Sequence, residues 1–196
     1  MTPFTNPPAE PLATIAEWFE DARATGAREP GVLALATADR AGRVSNRIVQ
    51  TIRITGEGLV FTSHAGSGKG RDIEATGWSS GVLYWRESGR QVILTGPTAP
   101  LSADESDRLW YARPIGTHPM SVAAEQSAPL DDEEKLRAEA ERLAEPARAL
   151  PRPERWLGYH LTPTTVEFWQ SAPDRLHRRL RYDRTDTGWD HVRLQP

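Results

Sequence analysis

Residues 31–61 read GVLALATADRAGRVSNRIVQTIRITGEGLVF, and their punctuation decides the fold. Val32-Leu33-Ala34-Leu35-Ala36 is a short apolar run, Asp39-Arg40-Ala41-Gly42 is a turn, and Val44–Ile54 is a second extended run. Gly56-Glu57-Gly58 then turns the chain into Leu59-Val60-Phe61. Segments this short, with no room between them for a crossover helix, pair with their neighbours as antiparallel strands. The pattern continues outward: Val82–Arg86 and Gln91–Leu94 flank Glu87-Ser88-Gly89 as a hairpin, and strands are predicted at Leu157–Leu161, Thr165–Trp169, Leu180–Tyr182 and Trp189–Leu194. Close spacing with glycine turns predicts an antiparallel barrel, mainly β with flanking helices (α+β).

Three helices fit around it. Leu12, Ile15, Phe19 and Ala22 recur at helical spacing and stop near Gly26. Ser102-Ala103-Asp104-Glu105 is a capping box for a helix running to Arg113 and stopped by Pro114. A longer helix is expected over 131–150, kinked or ended early by Pro146. Residues 1–11, rich in Pro, Thr and Asn, are expected to form a flexible arm, and residues 12–196 a single domain. The Pro-rich stretch near residue 151 is a connector, because the strands after it are too few to close a barrel.

Composition narrows the function. A net charge of -3 argues against a nucleic-acid or membrane-surface partner, and the start of the chain has no signal pattern. The absence of cysteine removes disulfides, thiolate catalysis and cysteine metal sites, no metal ligand set is apparent, and a cytoplasmic location is expected. Redox chemistry would need a bound organic cofactor. A mean hydropathy of -0.58 is low for a chain hiding its apolar surface alone, and one way out is a dimer with flat apolar faces buried between subunits.

His64-Ala65-Gly66-Ser67-Gly68-Lys69-Gly70-Arg71 is the most pointed local signal. Its glycines allow close backbone approach to a ligand, and Ser67, Lys69 and Arg71 offer donors suited to phosphate; the same residues suit a solvated turn. A Walker loop would need Gly at Ser63 and Ser or Thr at Gly70. Arg47, opposite in parity to Ile48, is either an outward charge or a second anion ligand. Gln91 is a strand residue that faces solvent or reads a heterocycle edge. Arg175, His177 and Arg179 would point the same way on an extended strand, a crowding of like charge that invites an anion; a solvated basic edge is the alternative. Trp169 stands out among the seven tryptophans for its place just before this cluster. Arg113 caps a helix end or grips a carboxylate.

Together, Asn46-Arg47-Ile48-Val49, Ser67-Gly68-Lys69, Tyr84-Trp85, Arg90-Gln91-Val92, Arg113-Pro114, Gln126-Ser127, Glu167-Phe168-Trp169 and Arg175-Leu176-His177-Arg178-Arg179 resemble the pyridoxamine 5′-phosphate oxidase family. That resemblance implies a split β-barrel homodimer holding FMN in clefts between subunits. It implies FMN contacts from Arg47, Ile48, Val49, Gln50, Thr62, Ser63, Gly68, Lys69, Gln91, Gln126, Ser127, Trp169 and Arg179. Arg175 and His177 resemble the catalytic pair facing the substrate, with Arg113, Thr117, Ile52 and Leu109 around it.

The chain departs from the vitamin B6 oxidases in that pocket. Ile52 stands where they carry lysine, Leu109 where they carry tyrosine, Thr117 where serine is usual, and Gly68 where the flavin loop has arginine. Losing one charged hydrogen bond costs about 1.5–3 kcal/mol, so the pocket favours a flat, drier guest over a phosphate ester. Ser80-Gly81-Val82-Leu83-Tyr84-Trp85-Arg86-Glu87 and Thr117-His118-Pro119-Met120-Ser121 resemble the family's phenazine-forming branch. The implied substrate is a small aromatic carboxylate precursor, a reduced phenazine mono- or dicarboxylic acid, with O2 as acceptor. The rivals are a pyridoxamine/pyridoxine 5′-phosphate oxidase and a non-catalytic flavin- or haem-binding barrel.

Overall fold

The computed structural model describes residues 3–196. The chain runs α1 (Pro11–Ala24), β1 (Val32–Ala38), β2 (Val44–Ile54), β3 (Leu59–His64), α2 (Gly68–Thr76), β4 (Trp78–Trp85) and β5 (Arg90–Pro100). It continues with α3 (Ala103–Tyr111), a 3-10 turn (Ile115–Thr117), α4 (His118–Ala123), α5 (Glu133–Ala144), β6 (Trp156–Leu161), β7 (Thr165–Gln170), β8 (Arg178–Thr185) and β9 (Gly188–Leu194). The strands form one antiparallel sheet in the order β4-β1-β2-β3-β6-β5-β7-β8-β9, and β4 also pairs with β5, closing the first six into a barrel.

The turns follow from their residues. Asp39 accepts the backbone N–H of Ala41 (2.9 Å) and of Arg43 (3.0 Å), and Gly42 takes the left-handed conformation (φ 76°) that closes the β1–β2 connection. The barrel splits at β5. Arg90–Thr95 pair with β7, whereas Thr98–Pro100 pair with β6. Gly96 sits at the change of partner, where a Cβ would lie 2.2 Å from the Thr162 carbonyl oxygen.

Alternation along the strands separates two faces. Leu33, Leu83, Val92, Phe168 and Leu180 line up across five strands and are fully buried, with Leu12, Ile15, Trp18 and Ala22 of α1 packed onto the same core. One residue along, Tyr84, Gln91, Trp169 and Arg179 form a row on the opposite face. Strand β2 carries apolar side chains on that outer face: Val44 is 71%, Ile48 62% and Ile52 45% exposed. Arg47 instead turns inward and is half-buried, so the outward alternative for it is corrected. Ile52 lies in a register shift between Thr51 and Arg53.

The expected flexible arm is corrected too. Its first two residues lie outside those described. Phe4 is buried against Trp18 (ring centroids 6.1 Å). Arg193 donates to the Phe4 carbonyl (2.8 Å) and Tyr182 to that of Pro8 (3.0 Å). A proline-rich stretch satisfies few of its own carbonyls, and the last two strands supply the missing donors. The long helix is shorter than expected, starting at its Asp132 cap (Oδ1 to Lys135 N–H, 2.9 Å) and ending before Pro146. Among the described residues, no helix is long and apolar enough to cross a membrane.

Candidate active site

Strand β3 ends at Ser63-His64 and delivers the chain to the N-terminus of α2. Ser67 caps that helix, its hydroxyl accepting from Gly70 N–H (3.2 Å) and donating to the His64 carbonyl (2.7 Å). Lys69, in the first turn, is 7% exposed. Its Nζ donates to Ser63 Oγ (3.0 Å), Ser67 Oγ (3.3 Å) and Gln126 Oε1 (3.4 Å). Burial, then the nearby Arg47 charge, lowers its pKa, and among the described residues no carboxylate lies within ion-pair distance of it.

Arg47 is held from the other side. It donates to the Leu35 carbonyl (3.1 Å), Thr37 Oγ1 (2.7 Å) and Ser45 Oγ (2.5 Å), while its nearest carboxylate, Asp72, stands 4.0 Å away. Asp72 accepts from both hydroxyls, Thr37 at 2.6 Å and Ser45 at 3.1 Å, and so orients the guanidinium through them. A buried ammonium resting on neutral oxygens pays its desolvation without a counter-charge. A helix N-terminus beside it adds backbone N–H groups and a favourable dipole for an anion. The donor set therefore fits the phosphate of a mononucleotide such as FMN. Gly66 and Gly68 have open space where a Cβ would be, as close approach requires, whereas Gly70 abuts the Ala65 and His64 carbonyls and serves packing.

Two residues beside this cradle were given no role from sequence. His64 is 7% exposed with Nδ1 unpartnered; burial, then Arg155, Lys69 and Arg113, hold its pKa down at about 4. Arg155 donates to the Val122 (3.0 Å) and Ala124 (3.2 Å) carbonyls and so fixes the approach to Gln126-Ser127. His64, Gln126, Ser127 and Arg155 border a cavity of about 430 Å³. Ser127 takes a left-handed conformation (φ 72°). The only sequence hint for Arg155 is its place two residues after the Pro151–Pro153 break.

A second set lies on the outer face. Gln91, Trp169 and Arg179 stand side by side on β5, β7 and β8. The Arg175–Arg179 segment is not the continuous strand expected: β8 begins at Arg178, and Arg175 is left-handed (φ 66°), a conformation that is uncommon for a residue with a side chain. The like-charge argument fails as well, because Glu167 takes Arg179 in a two-point pair (2.7 and 3.1 Å). His177 sits 4.9 Å from the Trp169 ring, and its Nδ1 accepts from Ala172 N–H (3.1 Å). In the neutral ring the proton therefore resides on Nε2, which is left as a donor.

The third set surrounds α3. Arg113 stacks its guanidinium on Trp110 (4.8 Å) and Trp156 (5.1 Å) and donates to Ser121 Oγ (2.9 Å) and the Thr117 carbonyl (3.3 Å). Its Nη1 is buried without a partner. Leu109 lies one helical turn earlier and packs over Gly158, where a Cβ would come within 2.7 Å of it. Thr117 turns its hydroxyl to the Pro114 carbonyl (2.8 Å). Arg113 and Lys69 both act on His64, so the first and third sets adjoin. Among the described residues, no hydrogen bond links either to the Gln91–Trp169–Arg179 row, and Ile52, Ile48 and Gln50 face outward with that row. Val49 points into the core, and Thr62 is half-buried on β3 opposite Gly158.

Comparison with known proteins agrees with this fold. A pyridoxamine 5′-phosphate oxidase model matches residues 19–146, and a pyridoxine 5′-phosphate oxidase C-terminal dimerisation region matches 156–196. The dihydrophenazinedicarboxylate synthase of Burkholderia lata is 46% identical over 98% of this chain and 91% of its own. A pyridoxine/pyridoxamine 5′-phosphate oxidase of Rubrobacter xylanophilus is 40% identical over 95% of this chain and 87% of its own. The crystal structure of PhzG from Burkholderia lata in complex with tetrahydrophenazine-1-carboxylic acid superposes with a TM-score of 0.98 at 45% identity, covering 100% of this chain and 97% of that one. With a family model over more than half its length and relatives matched nearly end to end, the chain belongs to the pyridoxamine 5′-phosphate oxidase family.

Proposed function

We propose that this protein is an FMN-dependent oxidase that aromatises a reduced phenazine-1-carboxylic or phenazine-1,6-dicarboxylic acid precursor, working as a homodimer. The observation that carries the reading is the end-to-end likeness to a protein crystallised with tetrahydrophenazine-1-carboxylic acid. FMN, when bound, supplies the two-electron acceptor for the substrate's hydrogens, with O2 as final acceptor and hydrogen peroxide as by-product.

The chain's own residues bind, orient and exclude water. Lys69, Ser63, Arg47 and the α2 N-terminus would hold the phosphate, with Gln126 closing over Lys69. Gln91 and Trp169, on the outer face, would meet the cofactor across the seam of the dimer, where the exposed apolar side chains of β2 are covered. Arg179 contributes shape and hydrogen bonding more than net charge, since Glu167 already balances it. Arg113, with Nη1 free, and Arg175 would pair substrate carboxylates, and His177 would donate from Nε2 to the same end of the substrate. Ile52 and Leu109 would leave the ring-binding walls dry.

The test uses purified, FMN-loaded protein and reduced phenazine-1-carboxylate, first without air. Bleaching of the flavin bands, then oxidation of substrate faster than in air alone, is the expected outcome. An air-only rate, together with efficient formation of pyridoxal 5′-phosphate from micromolar pyridoxamine 5′-phosphate, would replace this reading with the vitamin B6 one.

A further inference from the structure

Below Arg113 lies a closed three-residue hydrogen-bond ring that no step so far has used. His118, the first residue of α4, is fully buried, its imidazole centred 4.2 Å from the Trp110 ring and tilted 32° to it. Its Nε2 hydrogen-bonds the Trp110 carbonyl (3.1 Å), and its Nδ1 accepts the backbone N–H of Leu150 (3.3 Å). Trp110 completes the ring, its indole N–H donating to the Leu150 carbonyl (2.7 Å). Nδ1 being the acceptor, the neutral ring must carry its proton on Nε2, so both nitrogens are used and one tautomer is fixed. Burial, then the Arg113 charge, lowers the His118 pKa, although the bond to Trp110 opposes this, which fits a ring that stays neutral.

We propose that His118 is a positioning residue for the substrate carboxylate: it fixes the Trp110 ring against which the Arg113 guanidinium lies, and so aims the unpartnered Nη1. Trp110 is clamped on one side by His118, meets Trp156 edge-on at 5.1 Å, and bears Arg113 at 4.8 Å. Ser121 and the Thr117 carbonyl fix the other guanidinium nitrogen, and both belong to the segment that carries His118. One imidazole thus joins the end of α3, the start of α4 and the Leu150 connector, and a planar cation aimed at a planar anion is sensitive to small rotations. The inference rests on Arg113 as a carboxylate ligand.

The test is steady-state oxidation by FMN-loaded enzyme of reduced phenazine-1-carboxylate and of dihydrophenazine, which lacks the carboxylate. His118→Leu is expected to raise KM for the carboxylate about tenfold with kcat within about twofold. KM for dihydrophenazine and FMN occupancy stay unchanged. His118→Gln, which keeps a donor for the Trp110 carbonyl, restores most of the KM. In an Arg113→Ala background, His118→Leu adds less than about twofold, because its effect passes through Arg113. If His118→Leu does not yield folded holoenzyme, His118→Asn, which keeps only the acceptor for Leu150, takes its place. Equal KM changes for both substrates, or full multiplication of the two single effects, would overturn the proposal. An Arg113→Ala enzyme with normal KM overturns the reading of Arg113 itself; a raised KM there beside a normal one in His118→Leu overturns only the role of His118.

Discussion

An ammonium nine-tenths removed from water, resting on Ser63, Ser67 and Gln126, is costly until an anion arrives, so Lys69 is where binding and stability oppose each other. Lys69→Met is expected to weaken FMN binding about ten- to a hundredfold, the worth of a charged hydrogen bond. The apoprotein should be no less stable; fluorescence titration and urea unfolding measure the two sides. His64 gives a pH dependence with a definite sign. Its pKa falls from 6.5 unfolded to about 4 folded, so as pH drops the unfolded chain takes up the proton first and stability is lost between those values. The full loss is about 3 kcal/mol. Denaturant unfolding at pH 7 and pH 4.5 should show it in the wild type, and His64→Leu should flatten it. At this scale residue type offered Arg47 and Lys69 as candidate anion ligands, and the structure shows both cations resting on neutral oxygens, whereas Ser63 entered only through the family resemblance. The sequence misled where backbone geometry decides: nothing in Arg175 announces a left-handed residue, and the Glu167–Arg179 pair is visible only once β7 and β8 are in register.

Among elements, the glycines of the α2 approach and of β5 look alike in sequence and behave differently in space. Gly96→Ala would push a Cβ onto the Thr162 carbonyl and is expected to cost about 2 kcal/mol or more, read as a lower denaturant midpoint. Gly68→Ala meets open space at the first helical position and should be neutral, or stabilising by up to about 1 kcal/mol. In the latter variant any loss belongs to FMN affinity. Strand positions were legible because period-two alternation and glycine turns are local signals. The division of β5 between β6 and β7 was not, because it depends on a distant loop, residues 162–164, crossing over Gly96.

For the molecule as a whole, the outward row on β2 is the feature that a solitary chain does not explain. Val44, Ile48 and Ile52 share the face that carries Gln91 and Trp169, so covering them and completing the cofactor site would be one event. Ile48→Glu is expected to give a folded monomer that no longer retains FMN, seen by sedimentation velocity and by the loss of yellow colour on desalting. A variant that remains dimeric would place the interface elsewhere. Low mean hydropathy hinted at such a partner surface, but which strand face it occupied needed the inward turn of Arg47, which no charge-outside rule anticipates.

The bonds from Arg193 and Tyr182 to the carbonyls of Phe4 and Pro8 also set a timetable. During synthesis residues 4–8 are made long before the two strands that receive them, so their carbonyls must wait on the nascent polypeptide for β8 and β9 to follow. The β8–β9 hairpin then acts as a latch on that early segment, and loosening the hairpin would set the segment free.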